Sequence, residues 1–327
     1  MACVPESPRV LHLNDCAFVG AHLVGAAARA GHRWRILTPE RTWAPVRPGR
    51  TTTTRWDEYR TWARVASHVA AAQVVHAHFA TTVRRLKPWF VPRRPYVLHL
   101  HGTDIRSLWP DPVRGRAIQA YIDGAAHVYY STPDNEANAR TARPDAEYLP
   151  VFIEPRELPV WRPQGYVAFA SRWDEVKGLE AMLDVAERLV AAGIEVRGLD
   201  WGPGAAEAAR RGVTLIPKAP HADYLRFLGG ARVVVGQASR ILSVSELEAM
   251  AIGVPLAAVG DHHLGPDGGP LPIREGSVGD VVDAVISDFS DPVAAEAELG
   301  SKHWTLTHHT ADRYVPSVLQ TYRRIVA

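Results

Sequence analysis

The sequence predicts an α/β protein made of two parallel-sheet domains in tandem. Three observations carry this expectation. Short apolar runs alternate with helix-patterned segments along the whole chain. Four prolines, Pro150, Pro155, Pro159 and Pro163, fall within 14 residues near its middle. The length of 327 residues suits two domains of about 150 each better than one. A hydrophobic content of 46% with 22% charged residues describes an ordinary globular protein.

In the first half, Val10-Leu11-His12-Leu13 reads as a strand, and residues 20–30 as a small-residue helix ended by Gly31. Further strands are expected at 33–37, 74–78, 96–100 and 127–130, the spacing of a Rossmann-like sheet. Proline at the density of residues 151–165 disfavours helix and central strand alike, so this stretch is the expected linker between a domain of residues 1–150 and one of residues 166–302. The pattern restarts with a strand at 166–170. A helix at 178–192 carries Leu179, Met182, Leu183, Ala186 and Val190 on one face and closes at Gly193. Strands at 194–199, 213–216 and 232–235 continue the second sheet, and His303 to Ala327 reads as a terminal helix. Thr51 to Thr54 is expected to be a loop.

No apolar run approaches the roughly 20 residues that span a bilayer, and the first residues lack a signal-peptide core. Cys3 and Cys16 support neither a disulfide framework nor a metal site. A cytoplasmic location is the expectation. The net charge of +2 hides an asymmetry. Residues 1–150 carry 20 Lys/Arg against 12 Asp/Glu, and residues 151–327 carry 17 against 23. A basic half favours an acidic partner or an anionic membrane surface. Nucleic acid is not expected, because no binding motif accompanies the charge.

Function is most legible at Glu248, placed by its pattern at the start of a helix after the loop 239–245. A carboxylate there can accept hydrogen bonds from a vicinal diol such as a ribose, while free amides at the helix start hold phosphate oxygens. The backbone amides of Ser243, Val244 and Ser245 are the expected diphosphate donors. A second constellation, Ser171-Arg172-Trp173-Asp174-Glu175-Val176-Lys177-Gly178, follows the first strand of the second half. Two cations five residues apart on a strand-to-helix loop can bracket a diphosphate and stabilise it as it departs. A third is His99-Leu100-His101-Gly102-Thr103-Asp104, after a buried strand of the first half.

Glu248-Ala-Met-Ala-Ile-Gly-Val-Pro255 and the Arg172/Lys177 pair resemble the nucleotide-site motifs of family 4 glycosyltransferases of the GT-B class. His-Gly-Thr-Asp at 101–104 is similar to that family's motif after this strand. Ser131-Thr-Pro-Asp134 with Tyr148-Leu-Pro-Val151, and Trp201-Gly-Pro-Gly204, add ordered matches, so the resemblance runs along nearly the whole chain. It implies two Rossmann-like domains facing across a cleft, with the terminal helix crossing back onto the first. It implies that Arg172 and Lys177 neutralise the diphosphate, that Glu248 holds the ribose, and that His101 lines the cleft beside the donor sugar. His101, Arg172 and Lys177 are the expected catalytic residues. Gly102 and Asp104 count with the donor site, as do Gly202 in the glycine-rich turn and Gly20 in the loop after the first strand. One position departs from the pattern. The family's E-x7-E motif has its first Glu eight residues before the second, and here that residue is Arg240. A guanidinium donates but cannot accept, so contact with phosphate is what remains for it.

The activity so implied is transfer of a sugar from a nucleoside diphosphate donor, with retention and without a metal or other cofactor. The acceptor is a small molecule or a lipid or envelope component, acidic or lipid-linked. A non-catalytic sugar-nucleotide-binding subunit and a GT-B epimerase are the alternatives. The base, the sugar and the oligomeric state are not legible. A metal is not expected, although His76, His78, His99 and His101 sit in pairs that alternation places on one face, because no carboxylate or Cys joins them at ligand spacing. Residues 83–94 interleave five basic residues with Trp89 and Phe90. That stretch reads as an exposed loop able to rest on an anionic membrane.

Overall fold

The computed structural model describes residues 7–44, 53–239, 241–261, 263, 265–266 and 268–327. It forms two compact units, one of Met1–Phe152 with Ala311–Ala327 and the other of Ile153–Thr310. In the first, strands β1 (Val10–Leu13), β2 (Arg35–Leu37), β3 (Val74–His78), β4 (Tyr96–Leu100), β5 (His127–Tyr130) and β6 (Glu147–Tyr148) order as β2-β1-β3-β4-β5-β6. Every pairing is parallel. In the second, β7 (Tyr166–Phe169), β8 (Glu195–Leu199), β9 (Thr214–Ile216), β10 (Val233–Val235), β11 (Leu256–Val259) and β12 (Arg274–Gly276) order as β12-β11-β10-β7-β8-β9, again all parallel. Both sheets are therefore α/β and Rossmann-like.

The central strands of the first unit are buried along their whole length, as parallel strands covered on both faces must be. Period-2 alternation splits their side chains into two layers of different chemistry. Leu11, Leu13, Val75, Ala77, Leu98, Leu100 and Val128 belong to an apolar cluster with Ile118 and Ile122 of the helix Gly115–Asp123. Burial of each such Leu or Ile contributes roughly 1.5–3 kcal/mol relative to exposure. His12, His76, His78, His99 and Tyr129 point to the opposite face. There His12 and His76 meet Tyr322, and Tyr129 donates to Thr321, of the terminal helix Ala311–Val326, whose Val315, Val318, Leu319 and Tyr322 make a buried stripe at helical spacing.

Helix ends follow the glycines. Helix Val19–Arg29 closes with Gly31 at φ +84°, where the Gly31 and His32 amides return to Ala28 and Ala27 carbonyls. Gly193, at φ +80°, closes the helix Leu179–Ala191 in the same manner, and such caps satisfy otherwise orphaned carbonyls. The segment expected as one terminal helix is two, Ser301–His308 and Ala311–Val326. Its break at His309-Thr310 pairs Thr310 with Ile153 and coincides with the boundary between units. Thr53 and Thr54 precede the helix Arg55–Ala71, with the Thr54 side chain capping it through the Asp57 amide. Thr51, Thr52 and Cys3 lie outside the described residues.

Of the stretch 83–94 expected as an exposed loop, residues 83–86 instead end a 3₁₀ helix, Ala80–Leu86, with Val83 buried, whereas 87–94 contain no regular element and leave Trp89 at 87% exposure and Phe90 at 45% open. One of its cations is internal, however. Arg85 is buried between the rings of Trp43 and Trp62 and ion-paired with Glu58 at 3.1 Å. Among the described residues no helix is long and apolar enough to cross a membrane.

Candidate functional site

In the second unit the strand order reverses between β7 and β10, so the loops leaving their carboxyl ends diverge and open a crevice. The loop after β7 carries Arg172 and Lys177, and the segment after β10 leads into the helix Val244–Ile252. These loops are tied to each other by contacts no local pattern encodes. The Ala238 amide donates to the Lys177 carbonyl at 2.9 Å, and the Ser171 hydroxyl to Glu246 at 3.4 Å. Gly178, at φ +78°, lies so close that a Cβ would come within 2.8 Å of the Ala238 carbonyl oxygen.

Trp173, fully buried, anchors the same loop to the one after β8. Its indole donates to the Leu199 carbonyl at 3.1 Å, and its amide to the Trp201 carbonyl at 3.0 Å. Gly202 is required where these loops meet. At φ +107°, an added Cβ would sit 2.3 Å from the Trp173 carbonyl oxygen. The turn presents Trp201, 42% exposed, with Lys218 Nζ 4.3 Å and the Arg172 guanidinium 5.7 Å from its ring centre. An exposed indole flanked by two cations offers stacking for a base beside charge for a phosphate.

Arg172 and Lys177 differ in setting. Arg172 is ion-paired with Asp174 within its own loop at 2.9 Å, whereas the Lys177 charge acts on the buried Glu246. Glu246 organises the loop between β10 and the helix Val244–Ile252. Its carboxylate accepts from the amides of Gln237 at 2.7 Å and Ser243 at 2.5 Å and from the Ser243 hydroxyl at 2.8 Å. Burial pushes the Glu246 carboxyl up, and these donors with Lys177 hold it back. Glu246 thus holds the loop together from within. The expectation of Ser243 as a phosphate donor is overturned, because its amide is committed to Glu246 in a capping box. Val244 and Ser245, at the first two helical positions, keep amides without intrahelical acceptors.

Glu248 needs a second correction. It is the fifth residue of its helix rather than at the start, and is only 4% exposed. Its carboxylate accepts from His221 Nε2 at 2.6 Å. His221 begins the helix His221–Gly230, and no local signal in the sequence paired it with a residue 27 positions on. The bond to Glu248 raises the His221 pKa against its partial burial. The stability this pair contributes is therefore present in full below His221's unfolded value of about 6.5 and lost as pH rises through the raised folded value. Thermal unfolding followed from pH 5.5 to 8.5 should show that loss in the wild type and not in His221→Gln. An identical profile in both would remove the pair from the account. Arg240 lies outside the described residues.

In the first unit, His101 and Gly102 follow β4, and Gly102 takes φ +114°. Asp104 does not line a surface. It is fully buried, and its two oxygens accept from the amides of Ala80, His101 and Ile105, each at 3.0 Å. Burial pushes its carboxyl up to about 6 despite those donors. Asp104 thus shapes the loop that presents His101, with both oxygens already accepting backbone amides. Gly20 sits one residue into its helix, where a Cβ would lie 3.0 Å from both His78 Nε2 and the Ile36 side chain. Its lack of a side chain serves close packing of helix on sheet. His101 Nε2 lies 3.1 Å from His78 Nδ1, and His78 Nε2 lies 3.0 Å from His12 Nδ1. The pairs expected on β3 and β4 do meet, and His12 of β1 joins them.

No protein-family model matches the chain, and no curated protein does. Solved structures do. The chain is similar to a sucrose-phosphate synthase from Thermosynechococcus elongatus, at 15% identity and TM-score 0.67 over 97% of this chain and 98% of that one. AviGT4, a glycosyltransferase involved in avilamycin A biosynthesis, matches at 17% identity and TM-score 0.66 over 98% of each chain. The fold is that of GT-B glycosyltransferases. Anabaena Alr3699/HepE, solved in complex with UDP and glucose, has the same GT-B fold at 10% identity and TM-score 0.65, over 97% of this chain and 99% of that one. At these identities the likeness concerns the fold, and the chemistry of this GT-B chain rests on its own residues.

Proposed function

We propose that this chain is a glycosyltransferase that takes its sugar from a nucleoside diphosphate donor bound at the switch point of the second unit. The observation that carries this reading is the convergence of the Arg172/Lys177 loop, the Trp201-Gly202 turn and the start of the helix Val244–Ile252 at the carboxyl ends of the inner strands β7, β8 and β10. Lys177 and Arg172 meet the diphosphate, and the amides of Val244 and Ser245 donate to its oxygens. Trp201 offers a face for the base, and Glu248 holds the ribose diol in competition with His221. Positive charge on these side chains stabilises the departing diphosphate. Transfer with retention follows from the resemblance in the motifs. Among the residues described here, none is placed as an enzymic nucleophile, so the leaving phosphate takes the acceptor proton in this scheme.

A panel of sugar nucleotides of different base and sugar, screened by thermal shift, tests the reading. A true donor at 100 times its Kd stabilises the fold by about 2.7 kcal/mol, and slow hydrolysis of that donor should accompany binding. Glu248→Gln should weaken binding, measured as the shift from its own unliganded melting temperature, which falls with loss of the charged pair to His221. Binding without hydrolysis or transfer would favour a non-catalytic subunit. No shift with any member of the panel would defeat the donor site itself.

A further inference from the structure

The histidine layer of the first unit plays no part in that reading, and its geometry is unusual for a packed sheet face. Parallel register sets His12 opposite His76 and His78 opposite His99, and His101 follows on the same face two residues on. His12, His76, His78 and His99 have no exposed surface, while His101 is half-buried at the open end of the sheet. A neutral imidazole has one donor and one lone pair, so the ring partners can be assigned. His99 Nε2 lies 3.0 Å from the Leu149 carbonyl oxygen and must donate to it. Its Nδ1 is then a bare lone pair, and it is buried with no partner. An unsatisfied acceptor of that kind costs on the order of 1–3 kcal/mol. Its presence calls for a cation or donor that the protein itself does not supply.

We propose that His78, His99 and His101 form a three-imidazole site for a transition-metal cation of the zinc type. Each offers one ring nitrogen, and these nitrogens all lie within 4.8 Å of one another. Tetrahedral coordination with metal–nitrogen bonds of about 2.0–2.1 Å needs ligand nitrogens roughly 3.3 Å apart. His78 Nδ1 and His101 Nε2 already stand at 3.1 Å, close to that spacing. The donation from His99 to the Leu149 carbonyl is the outer-shell contact that fixes a metal-bound histidine's tautomer. The buried carboxylate of Asp104, bonded to the His101 amide, places negative charge beside the set.

A second triple, His12, His76 and His78, is equally close but fits less well. The rings of His76 and His78 are parallel to within 2° at 4.6 Å, so one ion cannot lie in both ring planes. The rings of the proposed set are tilted by 34–38°. Three protein ligands leave a fourth position for water or an added ligand, and the half-buried His101 marks the side from which it would enter.

Metal-free protein titrated with Co²⁺ provides the test, since tetrahedral Co²⁺ has an intense visible absorption. The expected result is about one equivalent bound with that spectrum, displaced by Zn²⁺. His101→Gln should weaken binding by more than the ~10–100-fold typical of outer-shell changes. His303→Gln, an exposed histidine of the other unit, should leave it unchanged. Circular dichroism of metal-free His101→Gln establishes that the variant is folded, and His99→Gln provides a second route to the same loss. Absence of stoichiometric Co²⁺ binding, or binding that survives both variants, would overturn the site. Neither readout depends on the donor site or on transferase activity.

Discussion

Lys177→Ala is expected to abolish sugar transfer, with kcat reduced at least ~10³-fold while the protein stays folded. Lys177 closes a short 3₁₀ turn, Glu175–Lys177, whose backbone is held at both ends. Its amide donates to the Asp174 carbonyl at 2.8 Å, and its own carbonyl accepts from Ala238 at 2.9 Å. The turn therefore survives loss of the side chain, and what disappears is the positive charge that the proposed function sets against the departing diphosphate. Arg172→Ala should cost less, because the Arg172 guanidinium is already ion-paired with Asp174. Steady-state kinetics on the donor identified by thermal shift would separate the two. Near-wild-type turnover in Lys177→Ala would sink the proposed function.

Glu246→Ala should destabilise the second unit by on the order of 3 kcal/mol, measured by urea unfolding, and abolish donor binding with it. The Glu246 carboxylate satisfies the buried amide of Gln237 and the half-buried amide of Ser243, and removing it leaves a buried donor without an acceptor at about 1–3 kcal/mol and loses the capping bond as well. The same carboxylate spaces the β10 loop from Ser171 of the β7 loop. Phosphate-facing groups on the two loops would then lose their register. Glu246→Gln should fall between the two, since an amide retains one acceptor and sets a donor against donors. A stability change under ~0.5 kcal/mol in Glu246→Ala would mean that the loop is held by something else.

Much of this fold could be read from the chain. Nine strands are placed by the sequence to within two residues, because parallel strands buried on both faces are short apolar runs. Two of the three that escaped lack that signature, and the third is an apolar run weakened as a strand signal by its two alanines. β6 is a two-residue Glu147–Tyr148 pairing, β12 reads Arg274-Glu275-Gly276, and β11 is the alanine-rich Leu256-Ala257-Ala258-Val259. Their strand state comes from neighbours in the sheet rather than from propensity. The position of Glu248 slipped for a related reason. Its helix begins at Val244, where Ser243 and Glu246 form a capping box, so the carboxylate taken for the ligand group lies a turn further in.

The sequence by itself determined the two-domain α/β plan, the loops that carry Arg172, Lys177 and Glu248, and the common face of the histidine pairs. Each of these rests on a local period or a spacing within a few residues, and backbone geometry enforces such patterns wherever they occur. The tertiary structure alone decided which distant groups meet. Ser171 reaches Glu246 across 75 positions, His12 reaches His78 across 66, and His221 reaches Glu248 across 27. Those encounters depend on strand order, on loops brought together at a switch point, and on which donors the core leaves unsatisfied. No local pattern encodes strand order. It is settled by the burial and hydrogen bonding of the whole sheet at once.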